Sequence, residues 1–295
     1  MAILVAVVEA GSFSAAARQL KVPLATVSRK VGDLESHLKT RLLHRSTRQL
    51  SLTEAGQSYV AACRRILEEV SEAERVVAGE YASPKGELVI TAPIGFGRLN
   101  VLPVFTEFLK AYPDIDVRMM LTDRVVPLIE EHIDVAVRIA RLPDSNLVAL
   151  PMGTVRRVIC ASPAYFAEHG TPKYPHELAE HACITHDQML SRHVWHFMSG
   201  KSELAVSVRS RLAVSTAGAA VDAAVAGVGI THVLTYQMAD ALRAGELKIA
   251  LSSFELPPLP VSLVHAGQGA LPLKVRAFLD FVGPRLRSRV EGLQK

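Results

Sequence analysis

The sequence predicts an α + α/β chain: an N-terminal helix-turn-helix with a wing, then a long helix, then a larger domain in which strands alternate with helices. Three observations predict it. Between residues 21 and 48, seven basic residues (Lys21, Arg29, Lys30, Lys39, Arg41, Arg45 and Arg48) meet two acidic ones, Asp33 and Glu35, a net +5. The rest of the chain has 26 basic and 27 acidic residues, a net −1, so the whole positive excess lies in one short segment. Apolar residues then recur at heptad spacing from Tyr59 to Val77, and β-rich runs alternate with helical stretches from residue 87 onward.

Taken in order, AILVAVV (2–8) reads as a short apolar helix interrupted at Gly11-Ser12. Ser14 is the expected N-cap of a second helix through Leu20. After Lys21-Val22-Pro23, a helix from Leu24 to Leu38 buries Val27, Val31, Leu34 and Leu38 and presents Thr26, Ser28, Arg29, Lys30 and Asp33 beside them. Leu42-Leu43-His44 and Gln49-Leu50-Ser51-Leu52 flank a polar tip, a basic hairpin of the kind that contacts phosphate or the minor groove. Thr53 caps a helix to about Tyr81, whose seam of Tyr59, Cys63, Ile66, Val70, Ala73 and Val77 suits either a partner helix or packing on its own domain.

Ser83-Pro84-Lys85-Gly86 is a linker by composition. Strands are expected at 87–91, 115–121, 134–139, 155–161, 227–233 and 261–266, with helices at about 98–111, 124–131, 216–226 and 234–244. That alternation implies a mainly parallel sheet. At 295 residues the chain is sized for two or three domains, given roughly 100–200 residues per domain. No apolar run approaches the roughly 20 residues that span a bilayer, which excludes an integral membrane protein. Three scattered cysteines make no disulfide framework and fit a reducing, cytoplasmic setting. Residues 2–8 lack a positive n-region, so no signal peptide is expected.

VEAGSFSAAARQL, then ATVSRKVGDLESHLKTRLLHRSTRQLSLTEAG, resembles the DNA-binding domain of LysR-type transcriptional regulators. The resemblance continues in order through GELVITAPIGFGRLNVLPVFTEFLKAYPDIDV, DVAVRIARLPDSNLVA and ASPAYFAEHGTP, nearly the whole chain. It implies a winged helix-turn-helix over 1–56, a linker and dimerisation helix over 53–82, and an effector-binding domain over 86–295. The last resembles periplasmic binding proteins: two α/β subdomains, about 86–160 with 267–295 and about 161–266, around a ligand cleft. The sequence departs from the family pattern at three points. Few residues precede Ile3, so a start codon further upstream is expected. Lys21 holds a turn position usually occupied by Gly, and Pro23 replaces the usual capping Ser.

The implied partners are double-stranded DNA, a small-molecule effector and a second copy through the linker helix, with a tetramer expected from the family and RNA polymerase a further partner if the protein is an activator. No membrane partner is expected. Ala25, Ser28 and Arg29 are expected at the major groove, where Arg binds guanine bidentately and small residues allow close approach, and Thr26 is expected as a further DNA contact. Lys30, Arg45, Thr47 and Arg48 are expected on phosphate or in the minor groove. The effector, by default an organic anion, is expected at Ile94, Gly95 and Phe96, at Ser215 and Thr216, and at Arg138 as charged anchor, with Asp123, Ser162, Trp195 and Gly229 as further contacts. Six histidines fall in 169–196, yet their spacing with Cys183 matches no zinc motif. No dinucleotide fingerprint, Walker loop or nucleophile elbow occurs, so no enzyme, metal or cofactor is expected. The rival reading is a receptor-like protein without DNA function.

Overall fold

A computed structural model describes residues 1–45, 50–77, 83–186, 194–267 and 271–293. They form two units, Met1–Ser83 and Pro84–Lys295. In the first, helices α1 (Ala2–Glu9), α2 (Phe13–Leu20) and α3 (Leu24–Leu38) precede an antiparallel hairpin, β1 (Leu43–Arg45) and β2 (Leu50–Leu52), and the long α4 (Glu54–Val77). Leu4, Val7, Ala16, Val27, Val31, Leu42, Leu43 and Val60 close one apolar core.

The N-cap of α2 is Ser12, whose Oγ accepts from the Ala15 amide at 3.1 Å. Ser14, the expected cap, lies inside the helix, because Gly11 at φ +68° turns the chain early and leaves Ser12 extended. Lys21 ends α2 in the left-handed region (φ 54°, ψ 39°), the conformation that favours glycine there. Pro23 opens α3 with no side-chain cap, as its identity dictates. Glu35 Oε1 accepts from the Leu42 and Leu43 amides at 2.8 and 3.1 Å, tying the last turns of α3 to the start of the wing. Thr53 Oγ1 accepts from the Gly56 amide and caps α4. Along that helix Cys63 is buried against its own unit, whereas Ile66 and Val70 are exposed, so the seam packs on its own unit only at its N-terminal end.

The second unit contains two five-stranded sheets. The first has the order β4-β3-β5-β14-β6 and the second β11-β8-β12-β7-β13. The first is built from β3 (Gly86–Ala92), β4 (Ile115–Leu121), β5 (Val135–Ile139), β6 (Leu147–Val155) and β14 (Leu259–Ala266). The second comprises β7 (Arg157–Ala161), β8 (Ala182–His186), β11 (Arg209–Val214), β12 (Ile230–Leu234) and β13 (Lys248–Ala250). A separate hairpin pairs β9 (Val194–Ser199) with β10 (Ser202–Ser207). In each sheet two of the four strand pairings are parallel and two antiparallel, one strand (β14 in the first sheet, β7 in the second) running against the other four, which corrects the mainly parallel expectation. The reason is the path of the chain. It passes from β6 into β7 through Arg156 alone and returns from β13 to β14, so the strand that enters a sheet at each crossing, β7 or β14, runs against the other four. This pairing also moves 157–160 into the second subdomain and 259–266 into the first, correcting the expected boundaries. Arg156 Nη1 holds both oxygens of Glu255, at 3.2 and 3.0 Å, so one ion pair ties the two crossings together.

The first sheet packs one face against α6 (Leu102–Ala111) and α10 (Leu273–Gly292), where Phe105 and Phe108 meet Phe278 edge to face. The chain enters α6 through α5 (Ile94–Phe96) and a π-helical stretch, Gly97–Val101. The second subdomain adds α7 (Pro163–His169), α8 (Ala217–Val225) and α9 (Thr235–Arg243). The helix expected at 124–131 is absent; one turn closes there, from the Glu131 amide to the Pro127 carbonyl. Pro127 cannot donate backward, and it pushes Val126 out of the α region.

Two substitutions test the first unit. A Cβ at Gly56 would lie 1.9 Å from the Leu42 carbonyl oxygen, so Gly56→Ala is expected to cost about 2 kcal/mol or more in urea unfolding. Lys21→Gly relieves a left-handed residue and is expected to raise the same midpoint, by roughly 1 kcal/mol. A lower midpoint for Lys21→Gly would show that the lysine side chain outweighs its backbone strain.

Candidate DNA and effector sites

The alternation along α3 divides the helix into a buried and an exposed side. Val27 and Val31 are buried, while Ala25, Ser28, Arg29 and Lys30 are exposed and Thr26 is half-buried. Lys39, left-handed at φ 50°, and Arg41 are exposed where α3 gives way to the wing. Thr47 and Arg48 lie outside the described residues, as does the side chain of Arg45.

In the second unit, β3 delivers Ile94, Gly95 and Phe96 beside Asp123, which follows β4. Asp123 Oδ1 accepts from the Ile94 amide at 3.0 Å, so a carboxylate of this chain occupies the amide that was expected to meet a ligand carboxylate. Phe96 is fully buried and meets Tyr236 of α9 edge to face, with ring centroids 5.2 Å apart. This corrects its assignment as a direct contact: it is part of the first subdomain's core. Gly95 lies beside the same ring: a Cβ there would meet Tyr236 at 3.5 Å, an ordinary van der Waals contact. Arg138, on β5, is half-buried and donates from Nη2 to the Val126 carbonyl at 2.6 Å. Burial holds its guanidinium below the ordinary arginine range.

The remaining expected contacts carry structural duties. Ser162 is buried and caps α7 through the Tyr165 amide, and Thr216 caps α8 through the Ala219 amide, with Ser215 exposed beside it. Trp195 is buried in the core of the second subdomain. Gly229 is corrected as a ligand contact: it is buried, and a Cβ there would lie 2.2 Å from the Ala182 carbonyl oxygen, so it serves the close approach of β12 to β8.

Residues 1–57 match the bacterial regulatory helix-turn-helix protein model of the lysR family, and residues 82–287 match the LysR substrate binding domain. The chain belongs to the LysR family of transcriptional regulators. It is similar to an HTH-type transcriptional regulator of Xanthomonas campestris pv. campestris (strain 8004), 36% identical over 96% of this chain and 84% of that protein. An HTH-type transcriptional repressor of Pseudomonas aeruginosa (strain UCBPP-PA14) is 34% identical over 96% and 90%. Among solved structures, CrgA, a LysR-type transcriptional regulator from Neisseria meningitidis, matches with a TM-score of 0.63 and 32% identity over 97% of both chains. The protein is therefore a LysR-type DNA-binding transcriptional regulator with an effector-binding domain. LysR regulators bind DNA and small-molecule effectors and are oligomeric. No single helix among the described residues is long and apolar enough to cross a membrane.

Two residues of this LysR-type regulator escaped the sequence reading. Tyr236 belongs to α9 yet is buried in the first subdomain's core, and Gln237 Nε2 donates to its phenol oxygen at 3.2 Å. Burial, aided by Asp123, pushes that phenol up. His232 of β12 stacks on Phe197 at 5.6 Å and lies 5.3 Å from the Trp195 ring. No local pattern marks either one, because both contacts join elements distant in sequence.

Burial, then the charges of Arg157, His186 and His196, hold the His232 imidazolium down to about 3. A neutral ring in the folded state contributes stability that is fully present above the ordinary histidine pKa of about 6.5 and is lost as pH falls toward about 3. His232→Phe keeps a ring against Phe197 and removes the titration. Thermal melts at pH 7.5 and 5 are expected to differ less for this variant than for the wild type. An equal acid loss in both would place the sensitivity elsewhere.

Proposed function

We propose that this regulator binds DNA as a homodimer joined through α4, and that a small organic anion in the effector domain sets its regulatory state. The observation that carries the DNA reading is the division of α3: Val27 and Val31 anchor the helix while Ala25, Ser28 and Arg29 stand free on its outer side. Small residues allow approach to base edges, and Arg29 suits guanine. Thr26 and Lys30, with Arg45, Thr47 and Arg48 of the wing, take phosphate or minor-groove contacts, which fix register. Exposed Ile66 and Val70 favour a partner helix along α4, and assembly of dimers into a tetramer follows the same logic. RNA polymerase contact belongs to this reading if the protein activates.

The anion reading rests on Arg138, half-buried, with the Val126 backbone carbonyl as its hydrogen-bond acceptor and no carboxylate within ion-pair distance among the described residues. Ile94, Gly95 and Asp123 line the start of the same domain's first helix, and Ser162, Trp195, Ser215 and Thr216 serve as its supporting frame. A ligand shifts the regulator only through a difference in affinity between two arrangements of the linked units.

Footprinting on DNA upstream of its own gene, at 50 and 200 mM salt, tests the first half. A dimer making roughly 6–10 phosphate contacts loses about 10³–10⁵-fold in affinity over that range. Arg29→Ala is expected to cost about 1–3 kcal/mol and to relax specificity at one position of each half-site. Protection that is flat with salt, or unchanged by Arg29→Ala, would overturn the reading and favour a receptor without DNA function.

A further inference from the structure

We propose that Arg138, Thr91 and Ser262 form the seat of a single carboxylate group on the first sheet, beneath the segment from Asp123 to Ile133. The proposal deepens the anion reading and rests on it. Strand alternation places the three together. Leu88, Ile90 and Ala92 of β3 and Val135 and Val137 of β5 point into the core under α6 and α10. Val89 and Ala136 point the other way, into a smaller cluster with Leu128, Ile133 and Val264. Thr91 and Arg138 share that second face by the two-residue period of a strand. Thr91 pairs with Ala136, one step along β5 from Arg138 on the same face, and Ser262 pairs directly with Arg138. Directly opposed residues hold their Cβ atoms about 4.5–5.5 Å apart.

All three groups are donors, and none meets an acidic partner among the described residues. Thr91 is fully buried, and its Oγ1 has no hydrogen-bond partner. Ser262 is 7% exposed, and no hydrogen bond to its hydroxyl is formed among the described residues. Arg138 spends one N–H on the Val126 carbonyl. A buried hydroxyl without a partner is a cost that valine would avoid, so the orphaned Thr91 hydroxyl, on the same face as the Ser262 hydroxyl and a half-buried guanidinium, describes a cradle for an acceptor. The charge selects the class. One guanidinium neutralises one negative charge; a dianion would leave a charge uncompensated away from water. A planar carboxylate also matches the guanidinium fork. Both bidentate modes use Nη2, the nitrogen that holds Val126. The anion therefore shares or takes the tether of the overlying segment, on which Val125 is 85% and Ile129 63% exposed. Seating the ligand and releasing that segment are then one event.

The test uses the full-length protein, with sodium acetate against sodium chloride at constant ionic strength, read by thermal unfolding and isothermal titration. Acetate is expected to raise the wild-type melting temperature saturably and beyond chloride. Thr91→Val and Ser262→Ala are expected to weaken acetate about tenfold each, and Arg138→Gln about a hundredfold or more. Ligand-free Thr91→Val is expected to melt at or above the wild type, which separates a seat from a merely structural threonine. If Arg138→Gln abolishes the acetate effect while Thr91→Val and Ser262→Ala bind like the wild type, the seat is overturned and the anion reading survives. An acetate effect no larger than that of chloride in the wild type overturns both.

Discussion

The effector domain depends on how the chain crosses between its two sheets. It crosses once through Arg156 and once between β13 and β14, and the Arg156–Glu255 ion pair joins the two crossings. Burial raises the Glu255 carboxyl more than Arg156 lowers it, so the pair is retained against a desolvation cost. That constraint decides which strands run antiparallel. It also brings α9 back to the first subdomain, where Tyr236 enters a core built otherwise from residues of the first sheet and its helices. The two subdomains are thus joined by packing as well as by covalent crossings, and any ligand that shifts one must repack this contact with the other.

The DNA-binding unit follows a different constraint, the need to hold a short recognition helix rigidly with little core. Its contacts are economical. Glu35 satisfies two amides of the wing, Thr53 satisfies the first turn of α4, and Ser12 satisfies the first turn of α2. Each replaces water at a backbone donor that the turns would otherwise leave open. Lys21 and Pro23 work against this economy, one through a left-handed backbone and the other by offering no capping oxygen. The turn between α2 and α3 therefore persists because Val22 and Val27 pack beneath it rather than because its local sequence prefers it.

Polar groups divide the second unit into two kinds of site. Asp123 meets the Ile94 amide, and Ser162 and Thr216 each meet a helix start, so their chemistry is satisfied internally. Thr91 and Arg138 are not satisfied in this way, and they share a face of one sheet. The difference between a capped helix and an open donor is invisible in a residue list, since Ser, Thr and Asp serve both.

By itself the sequence determined what is periodic or compositional. The basic segment, the buried seam of α3, the wing, the cap at Thr53 and the strands at 115–121 and 261–266 were all legible, because each follows from neighbours within a few residues. Tertiary structure decided the rest. The helix expected at 124–131 failed because Pro127 removes a donor. The single strand expected at 155–161 split at Arg156, because two sheets compete for its two ends. Tyr236 and His232 acquired their environments from strands and helices far along the chain. Residues within one turn or one strand interact through the local backbone, which sequence encodes directly. Strand order, and the face a side chain shares with a distant partner, are set only when the whole apolar surface is buried at once.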